Sequence, residues 1–181
     1  MKAPKLTPDL AEAQRFLDLL EPNGQFWFQT QLEPKPNGNH GGAPRVLSGT
    51  LAEVGDELAR LNQNGSAVWV QINSGTGRKN VDVNRVRAYF VDLDCVPGDA
   101  LFSSPLPADF IIESSPGKFH GYWLTADAPV DQFVLRMHAL ANRFGGDHSI
   151  CHLARVMRLP GFIHQKAVPF LSQIVKVREG I

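Results

Sequence analysis

Two cysteines in 181 residues, Cys95 and Cys151, are too few for a disulfide framework, and they form no C-x-x-C pair. That usage fits a reduced, cytosolic protein. No run of about 18 or more apolar residues occurs, and no charged segment leads into an apolar one at the start, so no membrane span or export signal is visible. Excess charge is missing too. The 18 Lys/Arg balance 18 Asp/Glu, which argues against a general nucleic-acid coat. No repeat and no long linker interrupts the chain, whose length and 43% hydrophobic content suit one domain with a sizeable core.

The charges that are present are unevenly spread. Residues 1–114 carry 10 Lys/Arg against 14 Asp/Glu, whereas residues 115–181 carry 8 against 4 and hold five of the six histidines. A basic C-terminal third behind acidic groups suits a phosphate-bearing substrate that meets metal ligands.

Periodicity and turn signals predict the elements. Thr7-Pro8 opens a helix with a cap and a proline at its first position; Leu10, Ala13, Leu17 and Leu20 line its apolar face, and Pro22-Asn23-Gly24 ends it. Gln25–Gln29 reads as a buried strand, and Glu33–Pro44 as a Pro/Gly-rich loop. Thr50-x-x-Glu53 is a capping box for a second helix, and Ser66–Ile72 alternates as a strand. Beyond the polar loop Asn73–Asn80 comes a long strand, Arg85–Leu93. Asp109–Glu113 and His120–Thr125 form a hairpin. Pro129 starts a helix closed by Gly145-Gly146, whose Phe and Met residues belong to the core; Ala154–Leu159, a turn at Pro160-Gly161 and a strand Phe170–Val177 follow.

Three constellations carry chemistry. Asp92-Leu93-Asp94 ends the apolar run Val86–Val91. Side chains at i and i+2 of a strand share a face, roughly 7 Å apart. Two carboxylates at that range repel by about 2 kcal/mol at an effective dielectric near 20. A divalent cation removes the conflict; a solvated strand end is the plainer alternative. The hairpin segment Ser114–His120 brings two hydroxyls, a glycine turn, Lys118 and His120 together, a polar turn that can also receive a triphosphate. Asp147 can add a third carboxylate, and Arg155, Arg158 and Lys166 can grip phosphates.

Competing patterns are weaker. Zinc on His148, Cys151, His152 and Cys95 lacks a paired spacing, and Cys151 and His152 are adjacent. Asn73–Lys79 lacks the GxxxxGK[ST] order of a phosphate loop, and a strand-nicking initiator would want a His-x-His pair that is absent.

In order, the strand ending in Asp92-x-Asp94, the turn Ser115-Pro116-Gly117-Lys118-Phe119-His120, and Asp147 ahead of Arg158-Leu159-Pro160-Gly161 and Lys166 resemble the three motifs of the archaeo-eukaryotic primase superfamily. The similarity is greatest to RepB-type primases of plasmids and phages. It extends to Ala13–Thr30, a Leu47–Leu61 helix and Arg85–Ala88, nearly the whole chain. The resemblance implies an α+β catalytic core: an N-terminal α/β unit over 1–80 packed on an RRM-like antiparallel sheet with flanking helices over 81–181.

It further implies that Asp92, Asp94 and Asp147 bind two Mg²⁺ or Mn²⁺ ions for nucleotidyl transfer. Ser115, Lys118, His120, Arg158 and Lys166 would hold the incoming NTP or dNTP, and Arg78, Lys79 and Arg87 would meet a single-stranded DNA template. A replicative helicase or a C-terminal helical domain is the partner such primases use, and that helical domain does not follow here before Ile181. The usual Ser-x-His is replaced by Lys118-Phe119-His120, so the hydroxyl must come from Ser114 or Ser115 or be missing. A primer-extending polymerase unable to initiate, and a nucleotide- or DNA-binding module without turnover, are the other functions this pattern allows.

Overall fold

A computed structural model describes residues 6–33, 42–94, 97–166 and 168–181. Most of the loop predicted over Glu33–Pro44, and the Cys95-Val96 step after the acidic pair, lie outside the described residues.

Helix α1 (Leu10–Leu20) starts at Asp9, whose carboxylate accepts from the Glu12 N–H, so the cap is Asp9 and not the predicted Thr7. Its apolar stripe, Ala13, Phe16, Leu17 and Leu20, is buried. Strand β1 (Phe26–Leu32) alternates as a half-buried strand should, and β2 (Arg45–Gly49) pairs antiparallel with it. The resemblance draws the second helix from Leu47, ahead of the Thr50 capping box. It cannot extend that far back, because Gly49 stands at φ +147° and Thr50 closes a complete capping box with Glu53. Helix α2 therefore runs Leu51–Gln63, and β3 (Ser66–Gln71) returns beside β1.

The long strand predicted over Arg85–Leu93 is broken. Strand β5 (Val83–Arg85) pairs with the short β4 (Ser74–Gly75), and β6 (Ala88–Leu93) pairs with β8. Between them the Arg87 N–H donates to the Asn73 side chain, which takes it out of the ladder. After the short helix α3 (Asp99–Phe102), β7 (Phe110–Ser115) and β8 (Lys118–Leu124) form the expected hairpin, with Gly117 at φ +73° in its turn. Helix α4 (Phe133–Phe144) ends at Gly145, left-handed at φ 70°. Strands β9 (Val156–Arg158), β10 (Ile163–His164), β11 (Phe170–Leu171) and β12 (Gln173–Val177) complete the chain; the predicted last strand is split at Ser172, and β10 was not foreseen.

Two four-stranded sheets result, both antiparallel: β2-β1-β3-β9 and β12-β7-β8-β6. Although β9 follows the second sheet's hairpin in sequence, it lies at the edge of the first sheet. The hydrophobic core spans both. Phe16 of α1 meets Phe110 and Tyr122 edge-on, and α4 packs on β6, with Phe133 stacked on Tyr89 and the Phe90 N–H directed at the Met137 sulfur. Phe133, Met137 and Phe144 are core residues, as expected. Helices on one side and core on the other explain why β6 is buried on both faces and reads as an unbroken apolar run. Among the described residues no helix is long and apolar enough to cross a membrane.

Candidate active site

The second sheet grades from core to polar site along one face. Phe90, Tyr122 and Phe110 sit opposite one another across β6, β8 and β7, with rings 4.7–6.2 Å apart. Two residues further along, the same face presents Asp92, His120 and Ile112. Beyond them opens a pocket of about 200 Å³, lined on this side by Asp92, Asp94, Ser114, Ser115, Lys118 and His120. Its opposite wall is Trp69 from the first sheet with Arg155, Val156, Met157, Arg158, His164 and Lys166. The acidic pair and the basic segment, distant in sequence, therefore face each other.

Asp92 is the most perturbed carboxylate. Burial, then the charges of Asp94 and Asp147, raise its pKa to about 7 against the pull of Arg155 and Lys118. Its Oδ1 is buried with no hydrogen-bond partner, although His120 Nε2 lies 3.4 Å away. A buried, unpartnered oxygen flanked by two further carboxylates is a position a divalent cation satisfies. Asp94, at the exposed strand end, pairs with Lys118 at 3.3 Å.

Asp147 is brought alongside by backbone. Its N–H donates to the Asp92 carbonyl at 3.1 Å, and a Cβ on Gly146 would come within 3.2 Å of that same oxygen. The Asp147 carboxylate caps the 3₁₀ turn His148–Ile150, accepting from the Ser149 N–H and Oγ, which hold its pKa below the ordinary carboxylate range. With Lys118 on Asp94 and Ser149 on Asp147, the three carboxylates are not closed into a cage. Among the described residues, ligand atoms of three such side chains lie within 4.8 Å of one another only at His138, His148 and Cys151.

His120 is wholly buried, and that burial, with Arg158 and Arg155 nearby, drops its pKa to about 3. It is a neutral imidazole. The Tyr122 hydroxyl lies 3.4 Å from Nδ1, and in the tautomer that accepts from it Nε2 carries the hydrogen and can donate into the pocket. Ser114 and Ser115 both line the pocket, so either can supply the hydroxyl missing from the Lys118-Phe119-His120 sequence. The Gly117 N–H is already engaged by the Glu113 carboxylate at 2.9 Å, which removes it as an anion donor.

Arg158 is held as a fork: Glu33 accepts from its Nη2 at 3.0 Å, and its guanidinium lies 5.3 Å from the Trp69 ring centroid. Glu33 also lies 3.5 Å from His164 Nε2. Trp69, Tyr122, Glu33 and His164 escaped the sequence analysis. Each is one residue in an unremarkable strand or loop, and nothing in the spacing tied Glu33 to a partner 125 residues away.

Of the three residues expected at a template, two share a groove. Arg78 and Lys79 line a second pocket of about 420 Å³ with Gln29, Asn80 and His152, and Arg155 and Val156 line both pockets. Arg87, also expected at a template, is buried away from that groove. It is 3% exposed, donates to Glu21 at 2.7 Å and to the Gln25 and Ile72 carbonyls, and lies 4.3 Å from the Phe26 ring centroid. It is a structural arginine that no phosphate can reach.

Residues 91–173 match the family model described as the RepB DNA-primase N-terminal domain. Three solved structures share the fold. The archaeo-eukaryotic primase domain of the cyanophage S-2L primase-polymerase aligns with a TM-score of 0.74 at 20% identity, over 96% of this chain and 92% of that one. Primase RepB′ aligns at 0.65 and 18%, over 93% of this chain and 56% of its own length. The catalytic domain of RepB′ in complex with initiator DNA aligns at 0.62 and 17%, over 92% and 85%. No curated protein sequence matches the chain. The expected α+β architecture is the one found, and it is the fold these primase domains share.

Proposed function

From the premise that residues 91–173 match the RepB primase family on an archaeo-eukaryotic primase fold, we propose that this chain is a DNA-primase-type nucleotidyltransferase. The carrying observation is the pocket between the sheets: an unpartnered, buried Asp92 oxygen beside Asp94 on one side, with the charge of Asp147 acting on it from outside the pocket wall, and Arg155, Arg158 and Lys166 on the other. Asp92, Asp94 and Asp147 would hold two Mg²⁺ or Mn²⁺ ions. When bound, the ions would activate the primer 3′-hydroxyl and neutralise charge on the departing pyrophosphate.

The chain's own groups place the nucleotide. His120, neutral and locked by Tyr122, donates a hydrogen bond from Nε2 to a phosphate oxygen. Arg158, prevented from swinging by Glu33 and Trp69, presents its remaining N–H groups to the triphosphate. Lys166, Ser115 and Lys118 complete the phosphate side, and Lys118, now paired with Asp94, would be free to meet phosphate where Asp94 held a cation instead. The Arg78/Lys79 groove, continuous with the pocket through Arg155 and Val156, takes the backbone of a single-stranded template. The RepB′ relative was solved with initiator DNA, which supports a DNA partner. The cyanophage relative is a primase-polymerase, which supports primer extension as a second mode.

The test is label incorporation on circular single-stranded DNA with NTPs or dNTPs and Mg²⁺ or Mn²⁺, with and without a primer. Short products from the parent that vanish in folded Asp92→Ala/Asp94→Ala are expected. Undiminished product in that variant, or no product from the parent even with a primer, overturns the proposal.

A further inference from the structure

The carboxylate pocket makes use of Asp147 but not of two imidazoles and a thiol gathered around the turn that follows it. His138 Nδ1 and His148 Nδ1 are 2.9 Å apart, with the rings stacked at 5.1 Å and 21°. Cys151 Sγ completes a group whose three ligand atoms all lie within 4.8 Å of one another. Two elements bring them together. His138 stands on α4, while His148 and Cys151 are the first residue and the C-cap of the 3₁₀ turn. Side chains at i and i+3 eclipse on a 3₁₀ backbone, so His148-x-x-Cys151 aims both atoms the same way. The Gly146 N–H donates to the Ala141 carbonyl and folds this turn back against the end of α4.

A hydrogen bond between the two imidazoles explains the short nitrogen pair. It does not explain why a thiol that is 7% exposed converges on the same point. We propose that His138, His148 and Cys151 form a second metal site, a His₂Cys centre for Zn²⁺ distinct from the carboxylate pocket.

The donor set selects the ion. One thiolate and two imidazoles suit zinc and not a hard, oxygen-seeking cation such as Mg²⁺. Metal–ligand bonds of about 2.0–2.3 Å in tetrahedral geometry put ligand atoms roughly 3.3–3.6 Å apart. The nitrogens therefore open by a few tenths of an ångström as the more distant atoms draw in. His148 is exposed, so it can make that movement and leaves an entry path, with water in the fourth position. Uptake ionises the thiol, whose proton goes to solvent, while the imidazole that carries its hydrogen on Nδ1 transfers it to its own Nε2, so that both Nδ1 lone pairs face the metal. The occupied site ties α4 to the turn that Asp147 caps; only this last consequence depends on the proposed role of Asp147.

The full chain, stripped by a chelator, is titrated with Co²⁺ as a coloured substitute and then with Zn²⁺. Tetrahedral d–d bands and a thiolate-to-cobalt charge-transfer band are expected to saturate at one ion per chain and to bleach as Zn²⁺ displaces Co²⁺. Cys151→Ser abolishes the charge-transfer band. His148→Asn, at an exposed position where folding is safe, and His138→Asn weaken cobalt affinity by about tenfold or more. Asp92→Asn/Asp94→Asn retains the bands, and so does Cys95→Ser, so failure of the nucleotidyltransferase proposal leaves this readout untouched. Absence of the charge-transfer band in the parent, or a band that persists in Cys151→Ser or keeps full affinity in both histidine variants, overturns the site.

Discussion

Asp92 and His120, opposite each other on β6 and β8, titrate in opposing directions. The folded pKa of Asp92 is raised from 3.8 to about 7, so the metal-free native state holds a proton that the unfolded chain has already released. Its contribution to stability is complete below about pH 4 and is lost as the pH rises to about 7. That rise corresponds to about 4 kcal/mol of charging cost, an upper bound on what removing the charge returns. His120 runs the other way: with its pKa lowered from 6.5 to about 3, it costs stability as the pH falls below about 6.5. The two slopes offset in the parent, and comparison with Asp92→Asn separates them. Denaturant melts of metal-free protein should show Asp92→Asn gaining on the parent between about pH 4 and pH 7 and levelling off above; a flat difference would remove the buried charge from the account. The acidic pair was legible because i, i+2 carboxylates at a strand end are costly whatever surrounds them. Arg87 was misread for the complementary reason. An arginine beside a metal motif has the same letter whether it meets phosphate or stacks on Phe26 and pairs with Glu21, and only the fold brings Glu21 to it.

At the scale of elements, local chemistry predicted what local chemistry controls. The Thr50–Glu53 capping box, the Ser115–Lys118 turn and the glycine stop after α4 are where the sequence put them. Strand β2 was missed because Leu47 falls in helical step with Leu51 and Val54; only the Gly49 backbone separates strand from helix. Strands β9 and β10 are too short to show periodicity, and they exist through partners supplied from far away, as when buried Asn62 exchanges side-chain hydrogen bonds with the backbone of Ile163. The Pro160-Gly161 turn was legible as a turn but not as a contact. Gly161 stands at φ +81°, and a Cβ there would run into the Asp9 carbonyl and come within 2.8 Å of the Ala13 nitrogen, both at the start of α1. Gly161→Ala should cost more than about 2 kcal/mol, combining backbone strain with a clash against backbone that cannot yield. A melting temperature within a degree or two of the parent would show that α1 can move aside.

For the whole molecule, the polarity of charge read from the sequence becomes geometry: the basic C-terminal segment crosses to the first sheet as β9 and faces the acids of the second. Template affinity should therefore track the Arg78/Lys79 groove. Each phosphate contact contributes a log–log salt slope of about −0.7 on single strands. Single-stranded DNA binding measured across salt concentrations should lose about one such contact in Arg78→Ala. Arg87→Ala should keep the slope and instead lose about 3 kcal/mol of stability, because Glu21 and two carbonyls are left behind. An unchanged slope in Arg78→Ala would move the template elsewhere. The placement of β9 also governs the order of events during synthesis. When β3 leaves the ribosome its free edge has no neighbour, since its partner strand is made only after β6, the β7–β8 hairpin and α4. Until then the nascent protein displays an unpaired rim of backbone donors and acceptors, open to pairing with another chain. The closing contacts, such as Glu33 with Arg158, span 125 residues and belong to the slow class of long-range pairings. Chaperone dependence and aggregation during expression should concentrate in that interval, and a chain cut short before β9 inherits the sticky edge permanently.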